Sequence, residues 1–372
     1  MATEKFIKAK ANPKWNDWMW QYNNRINTVE KLSKVFDITE QEKVDIGECL
    51  THFRMSITPY YASLVKKDSY DDPIFKQCVP SALELDGNSN DLFDPLNEDG
   101  DSPVPNIVHR YPDRVLFLVT MRCSTYCRHC TRRRHVGERD GFITEKRYQN
   151  ALAYIKEHKE VRDVLISGGD PLVMSDERLE HIIAGIRAID HVQIIRIGTR
   201  VPVVLPMRIT EKLCTMLKKY QPIWMNFHFN HPNEVTPDSI KACNMLADAG
   251  IPLGNQSVLL KGINDKPQII RELCEKLVMV RVRPYYLYQC DLSQGISHFR
   301  TNVNVGIDIV HSMQGFCSGF EVPKFVIDAP GGGGKVPITY NYVISNNDKE
   351  VVFENYKGGT YKYPQPVEDK AK

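Results

Sequence analysis

From Trp15 to Val65 apolar side chains recur at helical spacing: Trp18, Met19 and Trp20 precede a start at Thr28-Val29-Glu30-Lys31-Leu32. Thr39 with Glu42 three residues on has the spacing of a capping box. Past Pro105 the rhythm changes to short β-branched runs alternating with helical ones, the mark of parallel βα units. The candidate strands are 114–120, 163–166, 192–198, 223–227, 253–259 and 280–287; helical runs follow the first five, for example 177–189 and 209–220, and another lies near 305–313. Six units are too few for a standard eight-stranded barrel and predict an open crescent, with function at the C-terminal strand ends. The fold class is therefore α/β: a partial (βα)6 TIM-like barrel, an N-terminal helical domain and a small C-terminal α+β segment.

The stretch between the helices and the first strand has a different texture. From Glu84 to Asp101 it holds seven acidic residues, no basic ones and several Asn, Gly and Pro, and reads as an exposed linker ending in Ser102-Pro103-Val104-Pro105. At the other end Phe325-Val326-Ile327 opens a polar, strand-rich segment, and 367–372 reads as a frayed tail. The expected division is 1–105 (helical domain and acidic linker), 106–320 (barrel) and 321–372 (C-terminal segment).

Charge and composition remove several classes of function. Lys plus Arg number 48 against 46 Asp plus Glu, so the net +2 gives no sign of a nucleic-acid or membrane partner. Met1-Ala2-Thr3-Glu4-Lys5 lacks the apolar region of a signal peptide. No apolar run approaches the ~18 residues of a membrane span, so a cytoplasmic protein is expected. Ten irregularly spaced cysteines suit a reducing compartment, and Cys49, Cys78, Cys214, Cys243, Cys274, Cys290 and Cys317 read as plain reduced side chains.

The other three, Cys123, Cys127 and Cys130, form a CxxxCxxC loop directly after the first strand. Iron–sulfur clusters are normally held by four thiolates, so three leave one iron open to chelate a small molecule. A zinc site completed by His129 or His135 is an alternative, although structural zinc is usually held by two separated ligand pairs. Three buried core cysteines fit poorly, because Arg128, Arg132, Arg133 and Arg134 crowd the loop and resist burial. Other strand ends carry polar residues too: Gly168-Gly169-Asp170, Thr199-Arg200, His228 and Asp291. Gly331 to Gly334 before Lys335 is not a phosphate-binding P-loop, since Val336 stands where Ser or Thr is needed. It is either a flexible turn with a solvated Lys or a backbone that delivers one amine to a crowded cofactor. His109-Arg110-Tyr111-Pro112-Asp113-Arg114 offers two guanidiniums for phosphate.

With the cysteine loop, Gly-Gly-Asp and the (βα)6 rhythm together, the chain resembles the radical S-adenosylmethionine superfamily. That resemblance implies a [4Fe–4S] cluster on Cys123, Cys127 and Cys130 whose open iron holds S-adenosylmethionine. Gly168, Gly169 and Asp170 would lie at its methionine end, with Arg200 and Gln256 as contacts to carboxylate and ribose. Thr58-Pro59-Tyr60-Tyr61, 101–105, 109–114, 123–134, 226–232, 254–259, Arg283-Pro284-Tyr285-Tyr286 and 328–335 are in turn similar to the lysine 2,3-aminomutase family, over nearly the whole chain. The family resemblance implies pyridoxal 5′-phosphate on Lys335 as an aldimine, surrounded by Arg110, Tyr111, Arg114 and Tyr288. Arg132 would pair with the substrate carboxylate, and Asp291 with Asp328 would grip a distal ammonium. Outside that context the two aspartates would read as strand-end caps or surface ion pairs.

The activity so implied is a deoxyadenosyl-radical 1,2-amino shift interconverting L-lysine and β-lysine (3,6-diaminohexanoate), with arginine, glutamate or a protein-bound lysine as alternative substrates. An external low-potential electron donor and a homo-oligomer are implied as partners. The structural metal site of some family members is not expected, because Lys266 occupies its loop and no Cys follows Cys317.

Overall fold

The computed structural model describes residues 6, 10–136 and 141–366; the start at 1–5 and the tail at 367–372 lie outside the described residues. Polar caps start the N-terminal helices. Asp17 accepts from the Met19 and Trp20 amides to begin α1 (Trp18–Asn23), Thr28 caps α2 (Val29–Ser33), and α3 (Glu40–His52) has both hydrogen bonds of the Thr39/Glu42 box. α4 (Pro59–Ala62) and α5 (Pro73–Cys78) start on proline, tolerated where no amide partner exists. Such short helices cannot enclose a core alone. Leu32, Phe36, Tyr61 and Phe75 are buried in the same cluster as Ile166, Ile195 and Phe227 of the sheet.

One nine-stranded sheet runs in chain order: β1 (Ile107–Tyr111), β2 (Arg114–Thr120), β3 (Asp163–Gly168), β4 (Ile194–Gly198), β5 (Ile223–Phe227), β6 (Leu253–Leu259), β7 (Val282–Gln289), β8 (Lys324–Ala329) and β9 (Gly334–Pro337). β2 to β8 are parallel; β1 pairs antiparallel with β2 and β9 with β8. The six expected strands are β2 to β7, some with shifted ends. β8 is a seventh parallel strand, and β9 folds back on it so that Lys335 stands opposite Asp328. The crossovers are α6 (Glu145–Glu157), α7 (Asp176–Arg187), α8 (Val201–Val204) with α9 (Glu211–Lys218), α10 (Pro237–Asp248), α11 (Pro267–Met279) and α12 (Val303–Met313). A separate small sheet holds β10 (Val343–Asn346), β11 (Glu350–Glu354) and β12 (Thr360–Pro364). Among the described residues no helix is long and apolar enough to cross a membrane.

Strand periodicity sorts the side chains between two environments. Val164 and Ile166 of β3 and Ile195 and Ile197 of β4 point outward and are fully buried. Their neighbours Asp163, Leu165, Ser167, Ile194 and Arg196 line an inner cavity of about 690 Å³. The sheet keeps two ends, so the barrel stays open, as an incomplete set of βα units requires.

Two expectations change here. The stretch 84–101 is not a free linker: Glu84, Pro95 and Glu98 are buried, and its acids pair with arginines of the cysteine loop. Those arginines do not resist burial, because carboxylates come with them. Arg128 and Glu84 are 2% and 1% exposed in a pair at 2.5 Å, and Arg133 reaches the same carboxylate. Burial opposes charge on Glu84, but Arg128 and Arg133 hold its carboxyl below the usual value. Its stabilising contribution is therefore complete at neutral pH and is lost only as acid protonates it. Glu84→Ala should cost about 3–5 kcal/mol by stranding two buried guanidiniums, read as a lower denaturant midpoint at pH 7.

Candidate active site

The cysteine loop is seated by backbone. The Gly169 amide donates to the Thr120 carbonyl at 2.6 Å and the Asp170 amide to that of Arg122 at 2.7 Å. A Cβ on Gly168, whose φ is +124°, would stand 2.1 Å from the Thr120 oxygen, and one on Gly169 would stand 2.3 Å from the Arg122 oxygen. Only glycine allows that approach, which fixes the segment leading into Cys123. Asp170 caps a short turn at Pro171–Val173 and accepts from Thr199 Oγ1 at 2.7 Å and the Arg200 amide at 2.8 Å. All three residues line the cavity. The hydrogen bonds of Gly-Gly-Asp are those of a capped βα turn whose residues face the cavity.

Cys123, Cys127 and Cys130 line the same cavity. Burial, with the nearby Asp170 charge and the sister cysteines, keeps the Cys123 thiol well above its ordinary pKa, and burial pushes Cys130 up to about 11. Cysteine thiols ionise when metal ions supply positive charge. Among the described residues no group of His, Cys, Asp or Glu is gathered for a single metal ion. His129 turns Nε2 to Asn230 at 3.2 Å and His135 faces Asp99 at 3.7 Å, so neither completes a zinc site. The donor set suits a cluster that spreads its irons among three thiolates.

Arg200 lines the cavity and is also held by a network of protein partners. Nη1 donates to Cys127 Sγ at 2.8 Å, Nε to the His228 carbonyl at 3.2 Å, and Nη2 to Tyr61, Gln77 and Glu234 at 3.0, 2.6 and 2.7 Å. All three nitrogens have protein partners, and through Nη1 the guanidinium fixes the Cys127 side chain. Gln77 and Glu234 of this network, both buried, lie outside every motif quoted above. Gln256 remains on the cavity wall.

At the other end of the cavity Lys335 Nζ lies 3.1 and 3.2 Å from the Asp328 oxygens and 5.3 Å from the centre of the Tyr288 ring. Its side chain is 32% exposed and lines the cavity. Its amide donates to Tyr111 Oη at 2.9 Å, and the Arg114 guanidinium stacks 3.9 Å from the Tyr111 ring centre. Arg110 donates Nε to Asp101 at 2.8 Å and Nη2 to the Leu96 carbonyl. Trp224, Tyr285, Tyr286 and Tyr288 complete an aromatic wall suited to a planar ring. Two arginines, a reachable amine and flat walls fit pyridoxal phosphate. Arg132 donates Nε and Nη2 to Glu98, the shortest contact 2.7 Å. Asp291 is pushed up to about 7, by burial first and then by Asp328.

The cysteine loop and barrel thus define a radical S-adenosylmethionine protein, and residues 117–274 match the model of the Radical SAM superfamily. Residues 310–372 match the model described as Lysine-2,3-aminomutase. The chain is 55% identical over 361 residues to the L-lysine 2,3-aminomutase of Clostridium subterminale, covering 97% of this chain and 87% of that one. It is 55% identical over 363 residues to that of Acetoanaerobium sticklandii, covering 98% and 88%. The glutamate 2,3-aminomutase of Clostridioides difficile is 43% identical over 348 residues, covering 94% and 82%. The chain belongs to the lysine 2,3-aminomutase family.

Arg200→Met removes the Cys127 donor and leaves Glu234 charged and buried. A loss of about 3–5 kcal/mol is expected, together with less iron retained after anaerobic reconstitution, measured by denaturation and iron assay. Full iron content in a destabilised variant would rule out the link to Cys127.

Proposed function

We propose that the chain interconverts L-lysine and β-lysine by a radical 1,2-amino shift, using a [4Fe–4S] cluster, S-adenosylmethionine and pyridoxal 5′-phosphate. Family membership gives the reaction class. The observation that carries the substrate is the carboxylate pair Asp291 and Asp328 in one cavity with Lys335, where Asp328 already holds an amine at 3.1 Å. A glutamate side chain would be repelled there, whereas a desolvated ammonium needs such partners.

When bound, the cluster with S-adenosylmethionine supplies the radical, and pyridoxal phosphate supplies the conjugated ring that tolerates an unpaired electron. The chain's own residues bind and orient. Cys123, Cys127 and Cys130 hold the cluster, with Gly168, Gly169, Asp170 and Gln256 along the S-adenosylmethionine side. Arg110, Arg114 and Tyr111 take the phosphate end, Lys335 carries the cofactor and Tyr288 flanks it. Arg132 pairs with the substrate carboxylate while Asp291 and Asp328 hold its far ammonium, fixing the carbon chain between radical source and ring. The aromatic wall limits water. Further parts of the proposal are a cytoplasmic location, an external low-potential electron donor and a homo-oligomer.

Anaerobically reconstituted protein, given dithionite, S-adenosylmethionine and lysine, should form β-lysine detectable by NMR and mass spectrometry. Turnover of arginine or of a lysyl protein in its place would sink the assignment. Borohydride reduction of the reconstituted protein before lysine is added should leave a pyridoxyl label on Lys335 alone.

Asp291 also predicts a pH dependence. Its pKa, raised from 3.8 to about 7, means that the empty site keeps a proton that an ammonium ligand must displace. Lysine affinity should therefore fall as pH drops below about 7, with proton release per lysine rising toward one as pH falls through that value. Calorimetry in buffers of different ionisation enthalpy reads this release, and Asp291→Asn should abolish it.

A further inference from the structure

The acidic stretch 91–101 is a strap across the mouth of the cavity, and its carboxylates meet arginines in a regular way. Its early part is tied to the loop after β7: the Leu92 amide donates to the Leu292 carbonyl at 2.7 Å and the Gln294 amide to the Leu92 carbonyl at 3.3 Å. Its middle is tied to the glycine loop, where the Gly331 amide donates to the Pro95 carbonyl at 3.0 Å. Asp94 and Asp99 both engage Arg134, at 3.0 and 2.5 Å. The strap thus touches the segments carrying Asp291, Lys335 and the cysteine loop.

Two of its carboxylates address arginines that the proposed function assigns to bound anions. Glu98, 8% exposed at its side chain, grips Arg132 along the Nε–Nη2 edge, with contacts of 3.1, 2.9 and 2.7 Å. The Nη1 end stays on the cavity side, its nearest protein acceptor being the Gly168 carbonyl at 3.5 Å. Asp101 takes Arg110 Nε at 2.8 Å while the Leu96 carbonyl takes Nη2, again leaving Nη1. A guanidinium is a planar fork with two usable edges, so one carboxylate can fix its plane while the other edge meets a second anion. Burial opposes charge on Glu98, but Arg132, then Arg134 and Arg110, hold its carboxyl below the usual range, so it stays ionised.

We propose that the strap is an orienting element for both anion-binding arginines: Glu98 is a positioning residue for substrate carboxylate through Arg132, and Asp101 one for cofactor phosphate through Arg110. This rests on the proposed function, which supplies the two anions. Each acid acts on a different ligand, so the consequences separate. Side-chain order imposed before binding lowers the entropic cost of capturing each anion.

The test uses full-length holoprotein carrying Glu98→Gln or Asp101→Asn. Glu98→Gln should raise the KM for lysine about tenfold, as expected for loss of one charge-assisted positioning contact, with kcat and the Kd for pyridoxal phosphate little changed. Asp101→Asn should weaken pyridoxal phosphate about tenfold by absorbance titration of the apoprotein, while the KM for lysine at saturating cofactor stays near that of the parent. Glu98→Asp tests rescue by a shorter acid, and Glu98→Gln combined with Arg132→Lys should be no worse than Arg132→Lys alone. A variant that moves both constants together, or a lowered KM in Glu98→Gln, overturns the proposal. Arg132→Lys raising the KM while Glu98→Gln leaves it unchanged rejects the strap's role and keeps the proposed function. An unchanged KM in Arg132→Lys rejects the carboxylate assignment itself.

Discussion

The constraint on which the rest depends is the burial of guanidinium groups beside the cysteine loop. Removing an ion from water costs several kcal/mol even after relaxation, and the cost is recovered only when an opposite charge arrives with good geometry and few unsatisfied hydrogens. The chain meets this by supplying carboxylates locally: Glu84 for Arg128 and Arg133, Glu98 for Arg132, Asp94 and Asp99 for Arg134, Glu234 for Arg200. The net charge of +2 conceals this sorting. Without the pairs, arginines placed to meet anions would turn outward to water and take the loop with them.

The barrel supplies the frame within which such pairs have direction. Parallel strands bury their outward β-branched side chains under helices, which makes the wall stiff, while inward positions remain free to carry polar groups. Opening the barrel leaves room for large ligands but exposes the strand ends, and there the strap lies, joined by hydrogen bonds to the loop after β7 and to the glycine loop. Lys335 gains its position from the same economy of connection. Because β9 turns straight back on β8, Asp328 and Lys335 are register partners, and a single hairpin carries both an acid and the reactive amine.

Much of this was legible in the chain. The six strands β2 to β7 announced themselves through β-branched runs between helical ones, and the cysteines through a spacing that few other uses produce. β8 was visible as Phe325-Val326-Ile327, but its place as a seventh parallel strand was not, because pairing with β7 depends on α12 returning the chain to the sheet edge. The strap was misread for a related reason. Its composition is that of a solvated linker, and the property that buries it, complementarity to arginines up to 209 residues away in the chain, has no local period. Nor does anything near Thr199 reveal that Glu234, Gln77 and Tyr61 converge on Arg200.

Substrate choice follows from charge more than from size. A missing methylene changes binding by only about 1–3 kcal/mol, so chain length alone separates amino acids poorly. A like-charge contact at about 4 Å costs on the order of 4 kcal/mol at an effective dielectric of about 20, and an opposite charge gains as much. On the proposed function, Asp291 and Asp328 in the cavity would separate a distal cation from a distal anion by far more than shape can. The arrangement also has to be tolerable when empty. Asp291 meets this by retaining its proton to about pH 7, and Asp328 by holding the Lys335 amine at 3.1 Å. In the empty cavity neither carboxylate therefore stands as a bare buried charge.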